Sequence, residues 1–400
     1  MQYIRSRIED IKSLSLEDKL ILFVAFALFL PMYASTICIA SVTIYALFKK
    51  NLISSIKHQT GAKFLYAFCL LEIVVSLFYA NSIGVINALG MLLIGAYVAY
   101  YRDHISSKVF DLMIEMILLL SLIITAFGLF EFNYYSQLAD HSFFDFYVQN
   151  KPSRRIHVTF LNANIYATMI EFFVVCCLYK WVSCSSLKEK AFYVFCGVVN
   201  LIMLYLTGCR TAFIPLAVVV PVFFICYGER KWILFSIGLI LAGIIAVLLI
   251  PDLIPRLSDI STLESRFDIW YGAFQGIAMY PLFGNGPQTY GRLYPIYDWH
   301  KAPHAHNIYI DAISSYGIIG TVLLVGYYVY LGKEMMQVRK HKALFGMMVS
   351  FVLVYLIHGL LDCTLNALWT GMLFFVVLNT GAMYRSQCQK FMEKVKYIYK

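Results

Sequence analysis

Charge is scarce in this 400-residue chain: 14% of its residues are Asp, Glu, Lys or Arg, while 60% are hydrophobic. Several apolar runs reach the roughly 20 residues that cross a bilayer as a helix, so a soluble fold is excluded. Acids are scarcer than bases, 23 against 32. In a soluble protein that excess would suggest nucleic acid. Here the charges fall almost wholly in short connections between apolar runs, which makes the excess a topology signal and gives no nucleic-acid partner. Ordered cysteine spacing is missing too. The ten cysteines contain no CxxC and no regular interval, so they are assigned to membrane packing rather than to disulfides or zinc. The first apolar run has no clear small-residue cleavage site, and the N-terminus is expected to be retained. No soluble domain, heptad array, low-complexity segment or fixed-period repeat is visible, and residues 1–400 read as a single integral membrane domain.

Apolar spans read at about 20–47, 64–80, 83–101, 110–131, 159–181, 191–208, 211–227, 232–250, 307–331, 345–361 and 367–384. The first is long for one helix and short for two, and Pro31 near its middle can break it into a re-entrant or two-pass hairpin. Lys and Arg favour the cytoplasmic side. If the first run crosses twice, 24 of the 32 basic residues fall on that side; a single crossing gives 20 against 12. The expectation is therefore an all-α polytopic protein of about 12 transmembrane helices with both termini cytoplasmic. Two longer connections, 132–158 and 251–306, then fall outside. In the second, Ser261 and Glu264 have capping-box spacing, and Leu263, Phe267, Trp270, Phe274 and Ile277 recur at helical spacing until Pro281. An amphipathic helix is expected there, on the outer surface or over a cavity.

Basic residues on the outer side are exceptions to the count. Arg210, between two apolar spans, and Arg266, on the amphipathic helix, each offer a planar five-donor fork suited to phosphate or diphosphate oxygens. The bland alternatives are lipid-headgroup contact for Arg210 and surface pairing with Asp268 or Glu264 for Arg266. Arg154 and Arg155 are weaker candidates, for which loop solvation or lipid contact is the competing account. His304 and His306 precede the tenth span, where a neutral imidazole can take a proton from a sugar hydroxyl. As a metal pair they lack a convincing third and fourth ligand. His358 and Asp362 are four apart and expected to meet on one helix face, as a structural or a catalytic pair. Glu72, Glu115 and Glu171 lie within apolar spans, where structural pairing is the expectation and a proton path the alternative.

Most of the hydrophobic chain resembles the O-antigen ligase and polymerase superfamily of bacterial membrane glycosyltransferases. The more specific likeness runs from about Arg266 to Gly320. His306-Asn307, nine residues and then Gly317-Ile-Ile-Gly320 is similar to the ligase pattern, as are Ser265-Arg266 with Trp270, the Pro281-to-Gly286 turn and Phe160-Leu-Asn-Ala-Asn164. The resemblance implies attack by an acceptor hydroxyl on the sugar carbon of an undecaprenyl-diphosphate-linked glycan, with inversion, at the outer face of the bacterial inner membrane. It implies His306 as the activating base or acceptor-orienting residue and Arg210 and Arg266 as diphosphate ligands. His304, Asn307, His358, Asp362, Arg154 and Arg155 are candidates for support. Neither a metal nor a nucleotide sugar or other cofactor is expected. The partners implied are the lipid-linked donor, a lipid or glycan acceptor and membrane lipids. Ligases use lipid A core as acceptor; polymerases of O-antigen, capsular or teichuronic type use another lipid-linked repeat, and the His306-to-Gly320 pattern favours ligase. A transporter or flippase would need a similar bundle, but the chain lacks visible paired repeats and its candidate residues gather at one face.

Overall fold

The computed structural model describes residues 11–149, 151–250, 253–254 and 261–384. Arg5, Arg7, Arg256, the basic residues from Arg385 onward and the Ser261 side chain of the expected capping box lie outside that description. The described residues are helical, with no strand. The helices are α1 (Leu16–Ala27), α2 (Met32–Phe48), α3 (Leu52–His58), α4 (Ala62–Phe78), α5 (Ser82–His104), α6 (Ser107–Gln137), α7 (Ala163–Ser183), α8 (Leu187–Thr207), α9 (Phe213–Tyr227), α10 (Arg230–Leu249), α11 (Ser261–Met279), α12 (Thr289–Tyr297), α13 (Ile308–Gln337), α14 (Lys342–His358) and α15 (Leu368–Asn379). Helices prevail because a backbone in hydrocarbon must satisfy its own hydrogen bonds.

Seven of these helices are long and apolar enough to cross a membrane, and an eighth follows if α2 and α3, bent by 97°, form one span. Helix α14 and the segment Leu368–Tyr384 are shorter apolar helices. The first apolar run does break at Pro31, which caps α2 after α1 has ended. Its freed carbonyls are met from elsewhere: Ser35 Oγ donates to Ala27 O (2.6 Å) and Leu30 O (2.9 Å), and Trp369 Nε1 donates to Leu30 O (3.0 Å). A break at membrane depth is tolerable only with such partners.

Helix α7 is the most enclosed of the candidate spans, packed against α8 and α14, while α10 stands at the rim with almost no buried surface. The core between them is aromatic; Phe172 stacks on Phe351 at 4.2 Å and Phe29 on Phe173 at 5.6 Å. A second, small core lies under the long connection before α13, built from Ile269, Ala273, Tyr290, Ala302 and Ala305 with Trp299 packed against it. It fixes the approach to His304 and His306. A helix, α11, covers the stretch expected to be amphipathic, but its apolar stripe does not turn inward as a unit. Phe267 and Phe274 are 65% and 57% exposed, and the buried face is Ile269, Gly272, Ala273 and Gly276. Gly272 and Gly276 lie against the Trp299 ring, which is why the helix rotates small residues inward.

Helix α13 is interrupted at Gly317, whose φ of 61° and ψ of −172° are not helical. The Pro281–Gly286 turn is wedged into the gap: Ile318 N donates to Pro281 O (2.9 Å), Ile319 N to Leu282 O (3.0 Å) and Gly286 N to Ser315 O (3.0 Å). A Cβ on Gly317 would fall 2.5 Å from Gly284 N and Leu282 O, and one on Gly284 would fall 2.1 Å from Ser315 O. Both glycines are therefore required by backbone contact as well as by positive φ. The turn and the helix break form one joint, which anchors the connection that carries the histidines.

Candidate active site

Asn307 begins the assembly. It caps α13, with Oδ1 accepting from Tyr309 N (3.0 Å) and Ile310 N (3.1 Å), while its Nδ2 donates to Leu360 O (3.0 Å). Ile308 N donates to Gly359 O (2.8 Å). These bonds tie the start of α13 to the turn after α14 and so bring His306 to Asp362. The separation from His306 Nδ1 to Asp362 Oδ1 is 3.2 Å. His306 itself sits at φ 49°, a left-handed conformation that costs a non-glycine residue energy and is held here by its neighbours. Its N–H donates to His304 Nδ1 (3.2 Å), and His304 Nε2 lies 3.8 Å from Asp362 Oδ1.

Asp362 is the hub. Burial acts to raise its carboxyl, but the hydrogen bond and charge of His306, then His304 and His358, outweigh that and hold it well below the usual carboxylate range. Cys363 N also donates to its Oδ1 (2.8 Å), and Asn164 Nδ2 donates to its Oδ2 (2.5 Å). Asn164 Oδ1 in turn accepts from the Arg155 guanidinium (2.9 Å), whose Nε donates to Thr207 O (2.7 Å). A chain of contacts thus runs from Arg155 through Asn164 and Asp362 to His306. For His304, burial lowers the imidazole below its ordinary value, assisted by His306 and opposed by Asp362 and Asp311.

Three arginines face this hub. Burial lowers the Arg266 guanidinium from its ordinary value; Asp362 and Cys209 act against that, and Arg210 acts with it. Arg155 is lowered by burial in the same way, with Cys209 and Asp362 opposing and Arg210 adding to the shift. Arg155 and Arg266 therefore share an electrostatic neighbourhood with Asp362, and Arg210 acts as a like charge on both. Arg155 is buried, against the loop solvation weighed from sequence; Arg154 is exposed.

The expected pairing of His358 with Asp362 gives way to a different arrangement. Helix α14 ends at His358 and turns at Gly359, so the four-residue spacing no longer describes one helix face. His358 Nδ1 instead meets Glu171 Oε1 (2.9 Å), both fully buried, and Asp362 takes His306. Of the three carboxyls expected to be paired, Glu171 and Glu115 are, the latter to Lys180 Nζ (2.9 Å). Glu72 is buried with no hydrogen-bond partner among the described residues. Sequence reasoning assigned no role to Asn164, Asp311 or Cys209. Asn164 and Asp311 lay inside segments already singled out, and Cys209 stands next to Arg210. Burial acts to raise the Cys209 thiol, yet His358 and Arg155 outweigh it and lower it. Asp311 Oδ1 accepts from Ala305 N (3.0 Å), bracing the histidine segment.

His304, His306 and Asp362 place three ligand-type atoms within 4.8 Å of one another, supplying the third ligand that sequence spacing lacked. Three such groups with an open position match what a catalytic zinc uses. The same three groups also form a hydrogen-bonded base and its orienting carboxylate, as when an acid fixes an imidazole tautomer.

These features define a class: a polytopic helical membrane protein with a histidine, its carboxylate and several arginines gathered at one end of the bundle. Residues 195–325 match the family described as O-Antigen ligase, which supports the resemblance to the O-antigen ligase and polymerase superfamily. The matched third of the chain holds Arg210, Arg266, His306 and the Gly317 break, while Arg155, Asn164, His358 and Asp362 lie outside it. No curated protein matches the sequence. Family and helices together indicate a multi-pass bacterial inner-membrane protein of polysaccharide biosynthesis, with a glycosyltransferase-like activity of the ligase or polymerase kind on lipid-linked glycans.

Proposed function

We propose that the protein is a ligase-type glycosyltransferase that moves a glycan from undecaprenyl diphosphate to an acceptor hydroxyl, lipid A core, at the outer face of the membrane. The observation that carries this reading is His306, oriented by Asp362 within a neighbourhood of three arginines. With its Nδ1 toward Asp362, His306 has Nε2 for the acceptor proton. As that proton leaves, the acceptor oxygen bonds to the anomeric carbon and the bond from that carbon to the diphosphate oxygen breaks, with inversion. The electron pair goes to the diphosphate, where Arg210 and Arg266 meet the developing charge. Asp362 stabilises the imidazolium. The membrane arrangement that fits this chemistry is about twelve passes with both termini cytoplasmic and the site-bearing connections outside.

Joining lipid-linked repeats by the same chemistry would make the protein a polymerase, and only the acceptor distinguishes the two. The test mixes purified protein, lipid-linked glycan and lipid A core or a second lipid-linked repeat, with and without EDTA, and follows acceptor mass. Product on lipid A core that survives EDTA is expected. Product only with a second repeat makes it a polymerase, and abolition by EDTA reassigns His304, His306 and Asp362 to a metal.

A further inference from the structure

Helices α7 and α14 hold a second constellation beside the hub. The Glu171 and His358 side chains are fully buried, and His358 Nδ1 meets Glu171 Oε1 (2.9 Å) and Oε2 (3.1 Å). A carboxylate on one ring nitrogen fixes the orientation of the imidazole and aims the other nitrogen. That other atom, Nε2, is buried and makes no hydrogen bond of ordinary geometry among the described residues. The Cys209 sulfur stands beside the same imidazole. Burial alone would raise the Cys209 thiol, but His358 first and Arg155 after it outweigh that and lower it.

A thiol, an imidazole within reach of it and a carboxylate that orients the imidazole are the parts of an activated sulfur nucleophile. The other neighbours act in the same direction. Arg155, from the connection before α7, engages the sulfur, and Arg266 on α11 interacts with its charge. Arg210 follows Cys209 in the chain, and Thr211 Oγ1 lies 3.4 Å from Cys209 Sγ. Groups that favour a thiolate thus face the sulfur from α11, α14 and the connection before α7, while Glu171 acts on it through His358. Cys209 is 3% exposed, so a reagent that reaches it must be about the size of water. Cys184, in the connection between α7 and α8, is the natural contrast. It is half-buried and easier to reach, yet burial and then Glu189 raise its thiol.

We propose that Cys209 is an oxidation site for hydrogen peroxide, with His358 as its acid–base partner and Glu171 as the residue that positions His358. His358 takes the thiol proton, and the sulfur attacks one peroxide oxygen. A sulfur–oxygen bond forms, the oxygen–oxygen bond breaks, and the departing hydroxide takes the proton back from His358 and leaves as water. Sulfur is oxidised by two electrons to a sulfenic acid and the peroxide is reduced, a change that added thiol reverses. The step needs no glycan. Only its effect on transfer rests on the glycan-transfer reading, since the new oxygen stands beside Arg155 and one residue from Arg210.

Purified full-length protein is treated with hydrogen peroxide at about pH 6 and about pH 8 and quenched with catalase. Sulfenic acid is then trapped with dimedone in dodecyl sulfate and located by peptide mass spectrometry. Cys209 should be oxidised at least about tenfold faster than Cys184, the reverse of their exposures. From the higher pH to the lower its rate should fall by less than the roughly 75-fold expected of a thiol with the ordinary value near 8.5. His358→Gln should slow oxidation at Cys209 and leave Cys184 as it was. Should that buried substitution prevent folding, the two wild-type comparisons decide the matter. Peroxide should also lower transfer by wild-type protein, with recovery in dithiothreitol, and Cys209→Ser, measured against its own untreated rate, should resist. Faster oxidation at Cys184, an ordinary pH dependence at Cys209, or indifference of Cys209 to His358→Gln in folded protein would each overturn the proposal. Failure of the transfer reading shows instead as absence of product from untreated protein with every lipid-linked donor and acceptor, and leaves the trapping result standing.

Discussion

The two ends of the bundle treat buried cations in opposite ways. Away from the site, Arg102 near the end of α5 makes a fork on Glu334, at 2.6 Å to Oε2 and 2.8 Å to Oε1, and also donates to Asn379 Oδ1 (2.7 Å). Lys180 near the end of α7 lies between Asp111 (2.5 Å) and Glu115 (2.9 Å). Each of those cations has its own carboxylate. At the site end, the Arg155 guanidinium donates to Thr207 O and Asn164 Oδ1 with no carboxylate in ion-pair contact among the described residues, and Arg155 and Arg266 both feel Asp362 and Cys209 electrostatically. The first arrangement closes a bundle, because a buried pair that satisfies itself leaves nothing to bind. The second sets two guanidinium groups near one carboxylate, an arrangement suited to an anion.

That contrast can be broken from either side. The largest effect is expected at the closed end. Arg102→Ala removes the guanidinium forked on the buried Glu334 carboxylate and should cost about 3–5 kcal/mol of stability. It should leave turnover per folded molecule unchanged, checked by thermal unfolding in detergent beside the transfer assay. A normal melting temperature would mean that the pair is not structural. At the site end the pattern should invert. His306→Ala should lose a hundredfold or more in rate, the scale of general-base catalysis, with little change in melting temperature and with donor binding intact. His304→Ala should lose less, because His304 lies farther from Asp362. Full activity of His306→Ala at saturating acceptor would remove the base assignment. Next comes Arg210→Lys, which keeps the charge and loses the fork. Loss of an oxyanion-type donor is worth roughly 3 kcal/mol, about a hundredfold in rate. Unchanged turnover and donor affinity would return Arg210 to a headgroup contact.

The sequence foreshadowed the two halves of this comparison unequally. Apolar runs located the helices because spanning length is a one-dimensional property, and Pro31 marked a real break. Arg210 and Arg266 stood out as basic residues on the side where bases are rare, and His306 stood out within its motif. What spacing could not supply were partners brought together by tertiary packing. Asp362 lies 56 positions from His306, and Glu171 lies 187 from His358. The local pairing inferred for His358 with Asp362 failed because Gly359 ends the helix that would have joined them. Arg155 looked like a solvated loop residue for a similar reason: the carbonyl of Thr207 that buries it is 52 positions away.

The smallest expected effect concerns how the loop that carries Arg155 and leads to Asn164 is held, and it is set by pH. Glu131 near the end of α6 accepts from His157 N (3.0 Å) and Val158 N (2.8 Å) through Oε2, and its Oε1 lies 2.6 Å from His157 Nδ1. The Glu131 carboxylate raises the His157 imidazole above its ordinary value, over the opposing effect of burial. A raised folded value means that the folded state binds the proton more tightly than the unfolded chain does. The stabilisation is therefore fully present below the unfolded value, near 6.5, and is lost as pH rises through the folded one. Both side chains are partly exposed, so the ion pair should contribute under about 1 kcal/mol. The two backbone bonds to Oε2 do not depend on the His157 proton and should keep the loop in place at high pH. Hydrogen exchange across residues 155–164 should therefore quicken modestly on the alkaline side in wild-type protein. In His157→Gln, after correction for intrinsic exchange, it should be faster at low pH and show no such step. A step of equal size in both proteins would place the titrating group outside this contact.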